Sequence, residues 1–164
     1  MNDNLVPYFT ILFALLIFIA ALVPAIFFVL TLQKTLNVIS PESRRMRPGQ
    51  VWLLLIPFFN LVWLFITVSR IADSIKNESM RLHITTDEGR PTYGIGLIMC
   101  IFYVTGSILY QLRFIPLTGA IFSLAGIICW ILYWIKVNDY KNLILSNKDN
   151  FMFDAERESF PLNR

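Results

Sequence analysis

The chain has 164 residues, 56% of them hydrophobic and 15% charged, with a formal charge of +3. Soluble domains average roughly 45–50% apolar and about 25% charged, and here the excess lies in long apolar runs, which exclude an ordinary soluble domain and indicate membrane segments. The basic balance does not indicate nucleic acid: the positive charges flank apolar segments, where they set orientation and meet anionic headgroups, and no basic face with interleaved aromatics occurs.

The first residues, MNDNLVPY, contain no Lys or Arg, and the apolar run after them exceeds a signal-peptide core. The first segment is therefore expected to stay as an anchor. Residues 8–32 are predicted to form a spanning helix, about 37 Å long at 1.5 Å per residue. Pro24 lies inside it and frees the carbonyl of Ala20, which predicts a kink. Residues 33–50 read as a polar, basic loop carrying Arg44, Arg45 and Arg47. Within it, Ser40-Pro41-Glu42 resembles a helix start with Pro at the first position.

Residues 51–68 are apolar but interrupted by Pro57 and Asn60. As one straight helix they reach about 27 Å, just short of a bilayer core of about 30 Å. Pro57 would leave the carbonyl of Leu53 unpaired, and Asn60 would lie near mid-bilayer. A kinked crossing and a re-entrant hairpin turning at Pro57–Asn60 are both open on these grounds. Charge favours the hairpin. If the segment dips and returns, thirteen of the fourteen basic residues share the cytoplasmic side and Arg113 alone lies outside, as positive-inside orientation requires. If it crosses, five basic residues lie on the wrong side.

Residues 69–84 are amphipathic, with Ile71, Ile75 and Leu82 on one side, which predicts a helix at the cytoplasmic membrane surface. Arg70–Asp73 and Glu78–Arg81 are spaced for i,i+3 ion pairs. His83 is the only histidine, so a histidine-based metal cluster within one chain is excluded. Residues 93–112 and 116–137 are joined by a short turn and must form an antiparallel hairpin. Depth matching about residues 114–115 places Tyr110 level with Gly119, Gly106 with Ser123, and Tyr103 with Gly126. Large residues opposite small ones make a close helix-packing face. The two cysteines, Cys100 and Cys129, lie in these apolar segments and read as packing residues. Trp130, Tyr133, Trp134 and Lys136 form an aromatic belt with a basic anchor, after which the helix is expected to continue into solvent.

The fold expected is an all-α integral membrane protein with three transmembrane helices, a re-entrant or kinked fourth spanning segment, and a cytoplasmic surface amphipathic helix. One membrane domain covers 1–146 and a polar cytoplasmic tail covers 147–164. Trp52, then Ile56-Pro57-Phe58-Phe59-Asn60-Leu61, then Ile71-Ala72-Asp73-Ser74 resemble the W…P-x-x-N-L…S core of an uncharacterised bacterial membrane family, a domain of unknown function. The resemblance covers roughly residues 40–80. It implies the bacterial inner membrane and no known activity. The chain departs from the family at Trp63-Leu64-Phe65, where a basic residue and a Pro are common.

No hydrolase, protease or P-loop motif occurs, and no acidic residue lies within an apolar segment. The function expected is that of a non-enzymatic membrane subunit or scaffold, without cofactor or metal. Its partners would be membrane lipids, other membrane proteins or further copies of itself, and no nucleic acid. A second reading is a small oligomeric channel or transporter with a cavity bordered by Trp52, Pro57, Asn60 and Trp63. A third is a membrane enzyme that holds a lipid phosphate with Arg44, Arg45, Arg47 and Arg70 and uses Asp73 as acid or base.

Overall fold

The computed structural model describes the backbone at residues 6–56, 59–111 and 116–159, and the side chains at 8–56, 59–109 and 118–152. Pro57, Tyr110 and Arg113 have no described side chains. Every regular element among the described residues is helical.

Helix α1 spans Val6–Val38, beyond the expected end at residue 32, and continues unbroken through Pro24. Every side chain from Tyr8 to Val23 is exposed. These residues are apolar on all sides, as a helix surrounded by lipid would be. Only further along does a stripe turn inward: Phe28, Val29, Leu32, Leu36 and Ile39 are buried, at helical spacing. The last carbonyls of a helix need outside donors, and here cations supply them. Arg44 donates from Nη2 to the Asn37 carbonyl at 3.0 Å and from Nε to that of Ile39 at 2.7 Å. Lys148 donates to Val38 at 3.3 Å. Positive charge also suits the negative end of the helix dipole.

Ser40-Pro41-Glu42 does not start a helix. It forms a turn in which the N–H groups of Ser43 and Arg44 both donate to the Ser40 carbonyl, at 3.0 and 3.2 Å. The Ser40 hydroxyl, which would have capped a new helix, donates instead to Glu78 Oε1 at 2.9 Å.

The expected division at residues 51–68 and 69–84 is also redrawn. A short 3-10 segment, Pro48–Leu55, comes first, with Pro at its start. Helix α2 then runs from Phe59 to Arg81 without a break, since no Gly or Pro interrupts that stretch. The two arms lie antiparallel. Trp63 Nε1 donates to the Gln50 carbonyl at 2.9 Å. Farther along the arms, the Arg45 N–H reaches Ser74 Oγ at 2.8 Å, and Asn77 Nδ2 reaches the Ser43 carbonyl at 3.3 Å. The amphipathic stretch is thus the C-terminal part of α2, and its apolar face meets protein rather than lipid: Ile71 and Ile75 are fully buried and Leu82 nearly so.

α2 ends in a left-handed cap. His83 has φ 54°, the Ile84 N–H donates to the Ser79 carbonyl at 2.9 Å, and the His83 N–H donates to Met80 at 3.3 Å. This is the Schellman arrangement, which glycine usually serves.

Helices α3, Tyr93–Gln111, and α4, Pro116–Ser159, form the antiparallel hairpin. At its open end α2, α3 and α4 meet at Gly96, where an added Cβ would lie 2.5 Å from Val68 Cγ1 and 2.8 Å from Tyr133 Cε2. α4 has 44 residues, about 66 Å, so more than half of it exceeds any bilayer core. Its helical course extends well past residue 146, where the polar tail was expected to begin. By length and composition α1 and α4 are apolar enough to cross a membrane, over Tyr8–Val38 and Thr118–Met152, while the apolar part of α3, Tyr93–Leu109, is shorter.

Candidate functional site: an apolar cavity and a basic pocket

A cavity of about 660 Å³ lies between α1, the 3-10 arm and the α3–α4 hairpin. Ala25 and Phe28 line it from α1, Leu54 from the 3-10 segment, Asn60 from α2, Phe102 from α3 and Ile127 from α4. Its size falls within the range of about 300–1,000 Å³ typical of small-molecule sites. Asn60, Tyr103, Ser107 and Ser123 give it a few polar points. The Ser107 hydroxyl is already spent on the Tyr103 carbonyl at 2.8 Å. No hydrogen bond of the Asn60 carboxamide occurs among the described residues; its backbone N–H donates to Ile56 at 3.0 Å. No acidic residue, histidine or cysteine borders the cavity among the described lining.

Of the four residues expected around such a cavity, Asn60 lines it and Pro57 lies outside the described residues. Trp52 and Trp63 sit elsewhere. Trp52 Nε1 donates to Gln33 Oε1 at 2.9 Å. Trp63, bonded to Gln50, stacks on Phe59 at 5.2 Å, with the Arg70 guanidinium 5.9 Å from its ring centre. Trp134 Nε1 donates to Thr31 Oγ1 at 2.8 Å. Three indoles thus bond near one level of the fold, beside residues 31–33 and 50.

The close-packing set is placed as follows. At Gly106 an added Cβ would meet Ser123 Oγ at 3.2 Å, and at Gly126 it would meet Phe102 Cβ at 3.6 Å and the Tyr103 nitrogen at 3.8 Å. Gly119 is buried and Tyr103 is exposed at 44%. The Tyr110 side chain lies outside the described set. Tyr103, Gly106, Ser123 and Gly126 all border the cavity, so the small residues leave room as well as contact.

The proposed phosphate set does not assemble as expected. Arg44, Arg45 and Arg47 share an open pocket of about 400 Å³ with Gln50, but neither Arg70 nor Asp73 borders it. Asp73 pairs with Arg90 at 2.8 Å instead of Arg70, because the 82–92 loop brings Arg90 over it while Arg70 turns to Trp63.

Sequence reasoning missed the main polar knot. Glu78 is fully buried. It takes a two-pronged bond from Arg81, at 2.7 and 3.1 Å, and another from Ser40. Burial pushes its carboxyl up, but the hydrogen bonds from Arg81, Ser43 and Ser40 and the charge of Arg81 outweigh this and hold it at about 2. Only the Arg81 contact had a signal in the sequence, the i,i+3 spacing. A second tie joins Glu88 to Lys136 and to the Thr92 N–H, and chiefly the Lys136 hydrogen bond holds the Glu88 carboxyl below its usual range. No metal-binding cluster of His, Cys, Asp or Glu occurs among the described residues.

Comparison of the chain with protein-family models, with curated proteins and with solved structures finds no match in any of the three.

Proposed function

We propose that the chain is a non-catalytic integral membrane protein of the bacterial inner membrane, a subunit or scaffold that takes up an apolar molecule from the bilayer into the cavity beside Asn60. α1, α3 and α4 cross the membrane. The 3-10 arm and the first turns of α2 dip in from the cytoplasmic side and return. The N-terminus lies outside and the end of α4 in the cytoplasm.

Several features support the topology. The antiparallel bonding of 40–50 with 63–78 brings the loops before and after the dip to one side, where the basic residues gather. The three hydrogen-bonded indoles mark a membrane–water boundary, where Trp is enriched. Non-helical backbone is tolerated at membrane depth only when protein or a cavity covers it, and α1 and α2 flank the 3-10 arm.

The observation that carries the functional reading is the cavity with Asn60 in its wall. A carboxamide at membrane depth costs several kcal/mol unless paired, so a ligand that offers it a hydrogen-bonding group gains specificity there. The ligand class is a lipid-soluble molecule with one polar head, such as a fatty acyl compound. The test is photo-cross-linking of the reconstituted protein with a diazirine fatty acid. Adducts are expected on the 99–107 stretch of α3, and Ala25→Phe, which fills the cavity from α1, should remove them. Labelling confined to the lipid-exposed Tyr8–Val23 stretch, unchanged by Ala25→Phe, would overturn the reading.

A further inference from the structure

We propose that the pocket formed by Arg44, Arg45, Arg47 and Gln50 binds the phosphate of an anionic glycerophospholipid in the cytoplasmic leaflet. This rests on the membrane topology proposed above.

Basic residues beside a membrane segment ordinarily serve orientation alone. Here they are built into a shape. The Arg45 N–H is fixed by Ser74 Oγ, and the Arg47 N–H by Gln50 Oε1 at 3.1 Å. Arg44 is fixed by its two carbonyl bonds at the end of α1. The backbone carrying the three guanidinium groups is therefore held before any ligand arrives, which lowers the ordering cost of binding.

The charge is also uncompensated. Arg81 and Arg90 pair with Glu78 and Asp73, and Arg70 lies over Trp63. Arg45 and Arg47 are exposed, and neither guanidinium has a partner among the described residues. No acidic side chain borders the pocket among those residues. Two unpaired guanidinium forks match the oxygens of a phosphodiester, which they can grip in pairs of parallel hydrogen bonds. The side-chain nitrogen of Gln50 is a further donor.

The segment that follows the pocket in the chain carries exposed apolar side chains, Trp52 and Ile56. A phosphate that bears acyl chains can use apolar neighbours of this kind, whereas a free phosphate cannot, which favours the lipid as its source.

The experiment is native mass spectrometry of the full chain in detergent, titrated with phosphatidylglycerol and phosphatidylcholine of matched chains. Wild type is expected to retain phosphatidylglycerol over phosphatidylcholine by about tenfold or more, from the contribution of two arginines near an anionic headgroup. Arg45→Gln/Arg47→Gln should bring the ratio close to one. Lys76→Gln/Lys141→Gln, with the same charge change elsewhere, should leave it unchanged. An equal fall in this control would mean a general field and would overturn the site. Displacement of the lipid by tens of millimolar inorganic phosphate would overturn the lipid as ligand. If the arginine variant does not fold, a phosphatidylglycerol carrying a photoreactive headgroup serves with wild type: adducts within 41–50 support the site, and adducts only elsewhere refute it. Insertion is scored separately by labelling from each side. A chain that inserts without lipid preference refutes this site alone, whereas a chain that does not insert refutes the topology.

Discussion

Replacing Glu78 by Gln keeps the size of the side chain and removes its charge. In the folded protein the Glu78 carboxyl titrates at about 2 rather than near 4.5. At 1.36 kcal/mol per pH unit, that difference corresponds to about 3 kcal/mol of stability at neutral pH. The carboxyl is lowered on folding, so its contribution is full above about pH 4.5 and is lost as the pH falls towards about 2. Glu78→Gln should therefore unfold about 2–3 kcal/mol more easily than wild type at pH 7, with the gap closing as the pH approaches 2. Chemical unfolding in detergent, followed by tryptophan fluorescence across pH 2–7, measures both. Arg81 is partly exposed and can be rehydrated once its partner is neutral, which keeps the loss below that of a fully buried pair. A variant as stable as wild type at pH 7, or a gap that does not change with pH, would refute the assignment of Glu78 as the charged knot joining the 40–43 turn to α2.

Four further variants probe the packing by the same unfolding assay. Gly96→Ala should cost about 1–3 kcal/mol, since its Cβ would collide with Val68 and Tyr133, while Gly94→Ala, which meets no atom within 4 Å, should change stability by less than about 1 kcal/mol. Trp63→Phe should cost about 1 kcal/mol by removing the indole hydrogen bond to the Gln50 carbonyl; an unchanged midpoint would argue against the hairpin bond. His83→Gly should gain about 1 kcal/mol, because glycine adopts the left-handed cap without strain, and a loss there would show that the imidazole has another role.

The helical class and the inward side of α2 were legible because Ile71, Ile75 and Leu82 repeat with the period of a helix. What covered that side was not legible: an amphipathic stretch looks the same whether it meets lipid or protein. The Glu78–Arg81 contact was readable because it lies within one turn. Asp73 finds Arg90 across 17 residues, and Lys148 reaches the end of α1 across 110; no local period encodes either. The depth-matched levels placed Gly106 beside Ser123 and Gly126 beside Tyr103 because an antiparallel hairpin with a short turn fixes its own register. The 3-10 arm escaped notice because its residues, VWLLL, are as apolar as a spanning helix. Its start shows only in Pro48. Of the candidate site residues, Asn60 and the three arginines stood out as polar groups beside apolar runs. Ser40, Ser43 and Ser74, which hold the arginines' loop in place, carried no such signal.

The topology rests most directly on the side of the membrane that residues 49 and 89 face. Gly49 and Gly89 are exposed, and a side chain at either meets no atom within 4 Å, so single cysteines there disturb little. With Cys100 and Cys129 replaced by Ala and a reference cysteine at Asp149, intact cells are labelled with an impermeant maleimide. All three positions protected in cells but labelled in lysate is the result expected of a segment that dips and returns. Opposite protection of positions 49 and 89 would mean that residues 51–68 cross the bilayer, and the re-entrant topology would be wrong.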